Sequence, residues 1–312
     1  MNLKKSRILI FGSTGFFGFN FCKKLKQQKI SFRTLSKKQC NLLNYKQTYS
    51  KIKKINPDII FNFAGKIGGI DYNIKKPSEI LYNNCKISLN LYEISSSLNV
   101  KKLISIGSSC SYPDSKQKSL DEKKLFTGKL HPSVEAYGFW KLLNIVASKS
   151  YFIQKKFKSL NIIFPSLYGP HDKFDEMNSH VISSLIVKFF EAKKKNKKFV
   201  KCWGDGKPIR EFLFVEDATE ALLEITKSYN SVEPINVGTG KGYSIKKISE
   251  IIKKSISFEG KILWNKKKSN GAMKKVLNNK KMLINIKWRA KTKIESGISQ
   301  TILWYSSLRE TK

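Results

Sequence analysis

The 312-residue sequence predicts an α/β fold built on a doubly wound parallel sheet. Three observations carry this. Short apolar runs alternate with stretches of helical periodicity. The first run ends in three evenly spaced glycines. A later run ends in Ser and is followed by a Tyr and a Lys four apart.

The elements follow in order. Residues 7–11 form an apolar run ending in Gly, then a helical pattern extends to about Gln28. Further strands are expected at 30–35, 58–64, 102–107, 161–164 and 235–238, with helices notably at 79–98 and 135–158. From Pro165 onward the alternation gives way to loops rich in polar residues and Pro, and the last seventy residues mix short elements. A smaller C-terminal lobe interleaved with the sheet is therefore expected. The first domain takes residues 1–164, with 213–240 returning to it, and the lobe takes 165–212 and 241–312.

Composition narrows the class. Apolar content of 40% suits a soluble globular protein, and no apolar run reaches the length of a membrane span. Lys4-Lys5 before the apolar stretch mimics a signal peptide, but three glycines inside it and the lack of a small-residue cleavage site argue otherwise. Cysteines 22, 40, 85, 110 and 202 are odd in number and form no C-x-x-C, so a reducing cytoplasm fits better than a disulfide framework, and no metal site is expected. The net charge of +37 invites a nucleic-acid reading. Only Arg7, Arg33, Arg210, Arg289 and Arg309 among the 60 basic residues are Arg, and the Lys are spread along the chain with mild runs at 193–198 and 265–268, so general basicity is the better account.

Gly12-Ser13-Thr14-Gly15-Phe16-Phe17-Gly18 is a G-x-x-G-x-x-G turn between a strand and a helix. Gly12 permits the tight turn, Gly15 lets the backbone approach a pyrophosphate, and Gly18 lets the helix pack on the strand, with its N-terminus facing the phosphates. This is the signature of a Rossmann-type dinucleotide site. An NAD site places an acid at the end of the second strand to hold the ribose hydroxyls. Here Arg33-Thr34-Leu35-Ser36-Lys37-Lys38 has none and offers cations to a 2′-phosphate, which favours NADP(H).

Ser108, at the end of the fourth run, lies before Cys110, and Tyr137 and Lys141 lie one helical turn apart. A phenol titrates near about 10. A neighbouring ammonium favours its ionised form, and a Ser hydroxyl steadies charge on a substrate oxygen. The set supports hydride transfer at a carbon bearing oxygen.

On these residues the chain resembles the extended short-chain dehydrogenase/reductases, and within them the GDP-L-fucose synthase family. Similar segments run nearly end to end: 64–70, 107–113, 167–172, 178–182, 203–206, 210–213 and 236–240. Lys66-Ile67-Gly68-Gly69-Ile70 and Ser108-Ser109-Cys110-Ser111-Tyr112-Pro113 are specific to this branch. The resemblance implies an NADPH-dependent enzyme that inverts C3 and C5 of GDP-4-keto-6-deoxy-D-mannose and reduces C4 to give GDP-L-fucose. Cys110 and His180 would move the ring protons, and Ser108, Tyr137 and Lys141 would serve the reduction. Dehydratases of the same fold usually carry Asp-Glu in place of Ser109-Cys110, and a thiol suits carbon deprotonation beside a ketone better.

The resemblance adds Asn41, Leu42, Ala64, Lys66, Pro165, Leu167 and His180 to the cofactor residues Gly12–Gly18 and Ser36, Lys37 and Lys38, beside Tyr137 and Lys141. It gives Ser108, Lys188, Trp203 and Arg210 to the substrate. It implies a homodimer joined through the helices near 79–98 and 135–158, loosely supported by the spacing of Leu142, Ile145, Val146 and Lys149. Ser166 stands for an Asn, Phe214 for a His, and Asn278-Asn279 for an acid, so a related sugar such as a GDP-4-keto-deoxyheptose stays open. So does a single-activity reductase or epimerase and, more remotely, a dinucleotide sensor or nucleic-acid-binding protein.

Overall fold

The computed structural model describes residues 1–114, 119–175, 179–267 and 270–310; Asn178, in one of the family-like segments, and Lys268, in a lysine run, lie outside them. The strands are β1 (Ile8–Phe11), β2 (Arg33–Leu35), β3 (Ile59–Asn62), β4 (Lys102–Ser108), β5 (Ser159–Phe164), β6 (Ser166–Tyr168), β7 (Phe199–Trp203), β8 (Ile209–Phe214), β9 (Ile235–Asn236), β10 (Gly242–Ser244), β11 (Lys261–Asn265) and β12 (Lys274–Lys275). The helices are α1 (Phe16–Gln27), α2 (Tyr45–Ile55), α3 (Ile70–Lys75), α4 (Pro77–Ser97), α5 (Glu135–Lys155), α6 (Val181–Lys194), α7 (Val215–Ser228), α8 (Ile245–Ile256), α9 (Lys280–Asn285) and α10 (Ile294–Glu310). Among the described residues no helix is long and apolar enough to cross a membrane.

Six parallel strands form the main sheet in the order β2-β1-β3-β4-β5-β9. Side chains alternate across it. Ile8 and Ile10 pack with Phe21 and Leu25 of α1 and Leu222 of α7, while Leu9 and Phe11 pack with Ile52, Leu91 and Ala147 of α2, α4 and α5. Helices cover both faces, which is why the strands read as unbroken apolar runs. The chain leaves β1 on one side for β2 and crosses to the other for β3. The switch point therefore opens at the carboxyl ends of β1 and β3, where ligands of such sheets bind.

The lobe has its own core, made by α6, α8 and α10 with Phe212 and Phe214. Its strands β10 and β12 flank β8, which also pairs with β6, while β7 pairs with β11. β9 rejoins the main sheet beside β5. Met282, Ile286 and Trp288, expected in the lobe, pack instead into the core of the main sheet.

Two further expectations are corrected. The strand at 30–35 begins only at Arg33, because Lys29 turns to φ +54° and the Ile30 N–H bonds back to Leu25 O at 3.0 Å, closing α1 with the Ile30 side chain buried. On α5, Ile145 is buried in a small core cluster and Leu142 packs on it. The free face of α5 is carried by Phe139, Val146 and Ile153, at seven-residue spacing.

Candidate active site

The glycine turn of the dinucleotide end is made of backbone. Gly12 has φ +76°, and a Cβ there would lie 2.5 Å from Ala64 N. A Cβ on Gly18 would lie 2.1 Å from Gly12 O, so the third glycine lets α1 sit on the turn. Gly15 has no such crowding, with its nearest neighbour at 3.4 Å. It is the N-cap of α1 and offers no side-chain acceptor to the first-turn N–H groups. Those donors and the positive end of the helix fit a pyrophosphate. Ser13 is half-buried and Thr14 exposed, while Phe17 meets Phe63 edge-on at 5.1 Å.

Beyond β2, the Ser36 carbonyl accepts from Gln39 N and Cys40 N, forming a turn that leaves Lys37 and Lys38 exposed beside exposed Arg33. Among the described residues these three cations form no ion pair, and they fit a 2′-phosphate. Asn41 is spent on its own loop, with Oδ1 accepting from Leu43 N at 3.2 Å. The Leu42 side chain lies in the core, and its carbonyl accepts from Asn90 Nδ2 at 2.8 Å. At the end of β3, Asn62 Oδ1 accepts from Ala64 N at 3.1 Å. Buried Asn84 clamps Lys66 by both backbone groups, at 2.6 and 3.0 Å, and the Lys66 ammonium pairs with Glu79. Pro165 is buried, and Leu167 is half-buried against the main core.

At the end of β4 the chain makes a tight turn. Ser108 Oγ accepts from Cys110 N at 3.2 Å, and Ser111 Oγ donates to Ser108 O at 2.5 Å. The ammonium of buried Lys275 donates to Ser109 O at 3.3 Å. α5 presses directly on this turn, since a Cβ at Gly138 would lie 2.5 Å from Cys110 O. Glycine next to Tyr137 is thus what lets the phenol-bearing helix reach the thiol-bearing turn. Cys110 is half-buried, and a charge on its sulfur would act on Tyr137, Lys141 and Arg210 alike.

Burial governs both Tyr137 and Lys141 on α5. It pushes the Tyr137 phenol up, against a hydrogen bond with Ser108. It brings Lys141 down to about 7, against the pull of Cys110. The Lys141 ammonium donates to Ile106 O at 2.6 Å, lies 3.5 Å from the centre of the Trp140 ring and 5.4 Å from that of Tyr137. At Tyr137 desolvation dominates; the Lys141 charge expected to favour the phenolate would act together with that of the oxidised nicotinamide.

The lobe brings the remaining residues. Arg210 on β8 is half-buried, donates to Ile209 O at 2.9 Å and is paired in register with Lys275 of β12. Burial lowers its pKa, opposed by Cys110 and Asp114. The Lys188 ammonium of α6 lies 5.4 Å from the ring centre of Trp203, which is 44% exposed and therefore not a core residue. His180, the N-cap of α6, faces Phe16 at 6.3 Å and pairs through Nδ1 with buried Asp172 at 3.0 Å. Desolvation pulls the His180 pKa down, but the charge and hydrogen bond of Asp172 prevail and hold it above its ordinary value.

Of the departures from the family pattern, Phe214 is buried in the lobe core against Tyr168 at 5.5 Å, so it bears on packing rather than on an open pocket. Asn278 Nδ2 donates to Asp121 Oδ2 at 2.9 Å, and Ser166 is half-buried on β6. Asn84, Gly138 and Lys275 lie outside the expected site residues, and Asp172 figures in the sequence only within the family-like segment 167–172, without a role. Gly138 stands in the sequence beside Tyr137; Asn84 and Lys275 matter through contacts 18 and 166 residues away.

A switch-point crevice with a glycine turn, and a Ser, a Tyr and a Lys gathered at the next strand end, define a dinucleotide-dependent oxidoreductase or epimerase. The chain belongs to the NAD dependent epimerase/dehydratase family, whose family model matches residues 8–238. It is 32% identical over 306 residues to GDP-L-fucose synthase 1 of Arabidopsis thaliana, covering 98% of this chain and 94% of that one. It is 33% identical over 303 residues to GDP-L-colitose synthase of Yersinia pseudotuberculosis, covering 96% and 97%. The crystal structure of a GDP-L-fucose synthetase from Naegleria fowleri bound to NADP superposes with a TM-score of 0.90 at 28% identity, covering 100% and 96%.

Proposed function

We propose that this protein is an NADPH-dependent 3,5-epimerase and 4-reductase of GDP-4-keto-6-deoxy-D-mannose, or of a closely related GDP-4-keto-deoxy sugar, forming GDP-L-fucose or its counterpart. One observation carries the reading. A single helix holds Tyr137 and Lys141 and, through Gly138, abuts the Cys110 turn. The similarity to GDP-L-fucose synthase 1 and to the NADP-bound synthetase supports substrate and cofactor.

The chemistry follows from the residues. A ketone at C4 makes the protons on C3 and C5 acidic. Cys110 as thiolate removes a ring proton, and His180 returns one to the opposite face. NADPH, when bound, supplies the hydride for C4. A phenol held above its ordinary pKa stays protonated at neutral pH, so Tyr137 keeps a proton to give to the C4 oxygen as that oxygen gains charge. Ser108 hydrogen-bonds the same oxygen. Lys141, titrating near neutrality, steadies the phenolate left behind. Arg210 and Lys188 suit the GDP diphosphate, and exposed Trp203 suits stacking on the nucleotide.

Incubation with GDP-4-keto-6-deoxy-D-mannose and NADPH, with product structure read by NMR, tests the reading. GDP-L-fucose with stoichiometric NADPH oxidation is expected, and no turnover of any GDP-4-keto-deoxy sugar would overturn it. A second reading changes only the sugar, and the equal likeness to a GDP-L-colitose synthase favours it. A third keeps one activity. Deuterium uptake at C3 and C5, compared between the wild type and Cys110→Ser, separates it.

The working unit is read as a homodimer closed by α4 and α5. The exposed apolar residues Leu81, Tyr82 and Leu89 on α4 and Phe139, Val146 and Ile153 on α5 support this. The cysteine pattern supports a cytoplasmic setting, and the scarcity of Arg speaks against a nucleic-acid partner.

A further inference from the structure

His180 stands at the mouth of the loop before α6 with its side chain 46% exposed, while the Asp172 side chain behind it is 0% exposed. Asp172 Oδ1 and Oδ2 lie 3.0 and 3.1 Å from His180 Nδ1. Ser183 Oγ, one turn into α6, donates to Oδ2 at 2.5 Å, and Lys173 N donates to Oδ1 at 2.8 Å. A carboxylate is costly to bury unless its oxygens are well partnered. Here two of its partners are fixed donors and the third is an imidazole facing outward. An ionised carboxylate only accepts, so Nδ1 must carry its proton in both states of the ring, and all proton exchange is confined to Nε2.

We infer that Asp172, braced by Ser183, is a positioning residue for His180: it locks the imidazole in the Nδ1–H form and presents Nε2 as the atom that exchanges a proton with the sugar ring. The chemical half of this rests on the epimerase reading; the tautomer does not. In the step itself, the electron pair left on the ring carbon by deprotonation takes the Nε2 proton as the N–H bond breaks. The imidazole is left neutral, still donating Nδ1–H to Asp172. Lys173 on the same loop and the positive end of α6 oppose the charged ring, and α1 presents the uncharged Phe16. Asp172 outweighs these among the described residues and keeps the imidazolium present to higher pH.

The test uses the full chain carrying 15N-labelled histidine. Only His131, His171 and His180 report, and His180→Gln assigns the third. The wild type is expected to show the Nδ1–H tautomer at His180 and a titration midpoint above the ordinary histidine value. In Asp172→Asn the midpoint falls by about one pH unit. The alkaline limb of C3 and C5 deuterium exchange moves to lower pH with it, and exchange loses more than C4 reduction does. Should Asp172→Asn fail to fold, the wild-type tautomer and a few-fold loss of exchange in Ser183→Ala decide the matter. An Nε2–H tautomer in the wild type, or a midpoint and exchange limb unmoved in Asp172→Asn, would overturn the inference. The expected spectra without any exchange would instead uphold the positioning role and sink the epimerase reading.

Discussion

The two ends of this site are built from different materials. The proposed pyrophosphate cradle of the dinucleotide end consists of main chain, a positive-φ glycine and a helix with a bare N-terminus, with side chains entering only at the 2′-phosphate cations beyond β2. The proposed sugar end consists of side chains delivered by β4, α5, β8, β12 and the loop before α6, and the thiol turn alone takes contacts from residues as far along the chain as Lys275. A backbone site tolerates nothing where main chain touches main chain. A side-chain site degrades step by step as its pieces are removed.

The sharpest way to break this contrast lies in the glycines. Gly18→Ala would set a methyl 2.1 Å from Gly12 O, where only backbone is available to yield. It should cost about 3 kcal/mol or more and abolish NADPH binding. Gly15→Ala meets nothing closer than 3.4 Å and should keep its melting temperature while weakening cofactor affinity. Thermal unfolding and NADPH fluorescence titration report both; a Gly18→Ala protein that binds NADPH normally would remove the backbone half of the comparison.

At the sugar end the losses should divide. Tyr137→Phe is expected to slow C4 reduction roughly 10³-fold while deuterium still enters C3 and C5. Cys110→Ser should do the reverse, with reduction of a ketone already inverted suffering far less than exchange. Parallel stopped-flow and NMR exchange measurements would show whether the two losses cross. Arg210→Met should raise KM for the GDP-sugar about tenfold and leave NADPH affinity in place, since it removes a charge-assisted contact to a diphosphate. An equal loss of NADPH binding would mean that the two ends are not separable.

The smallest effect concerns a buried charge in the dinucleotide half. Lys102, at the start of β4, caps the end of α7 through Tyr229 O at 2.6 Å and Thr226 O at 3.3 Å, and burial holds its pKa at about 8. Between that value and the higher unfolded value, the unfolded chain binds more protons, so stability rises with pH across this window; below it the cost of burying the charge is constant. Denaturant melts at pH 8 and 9 should show a gain of about 1 kcal/mol that Lys102→Met lacks.

The same contrast explains what could be read in the sequence. Gly12, Gly15 and Gly18 show their roles in a few consecutive letters, because a backbone turn is a local object. Apolar runs gave away the parallel strands for the same reason. The start of β2 departs from the sequence pattern because Ile30, β-branched and apolar, serves as the buried cap of α1 rather than as a strand residue. Leu142 and Ile145 suggested a free helix face that the fold turns inward, since periodicity marks an apolar stripe without saying what it meets. Asp172 shows in the sequence only as the last residue of the family-like segment 167–172, without a role, and Lys275 not at all: their partners are 8 and 166 residues away, and only the folded chain shows that each ends on a group the proposed mechanism uses.

Gly138 has a consequence for how such an enzyme can change. Because α5 rests bare against the Cys110 carbonyl, the proton donor proposed for reduction and the sulfur proposed for inversion are gauged from one rigid rod. Any sideways drift of that rod displaces both together. A descendant that abandons one reaction and keeps the other therefore has to replace the atom concerned, and its history should be written at position 110 or 137 rather than in the scaffold around them.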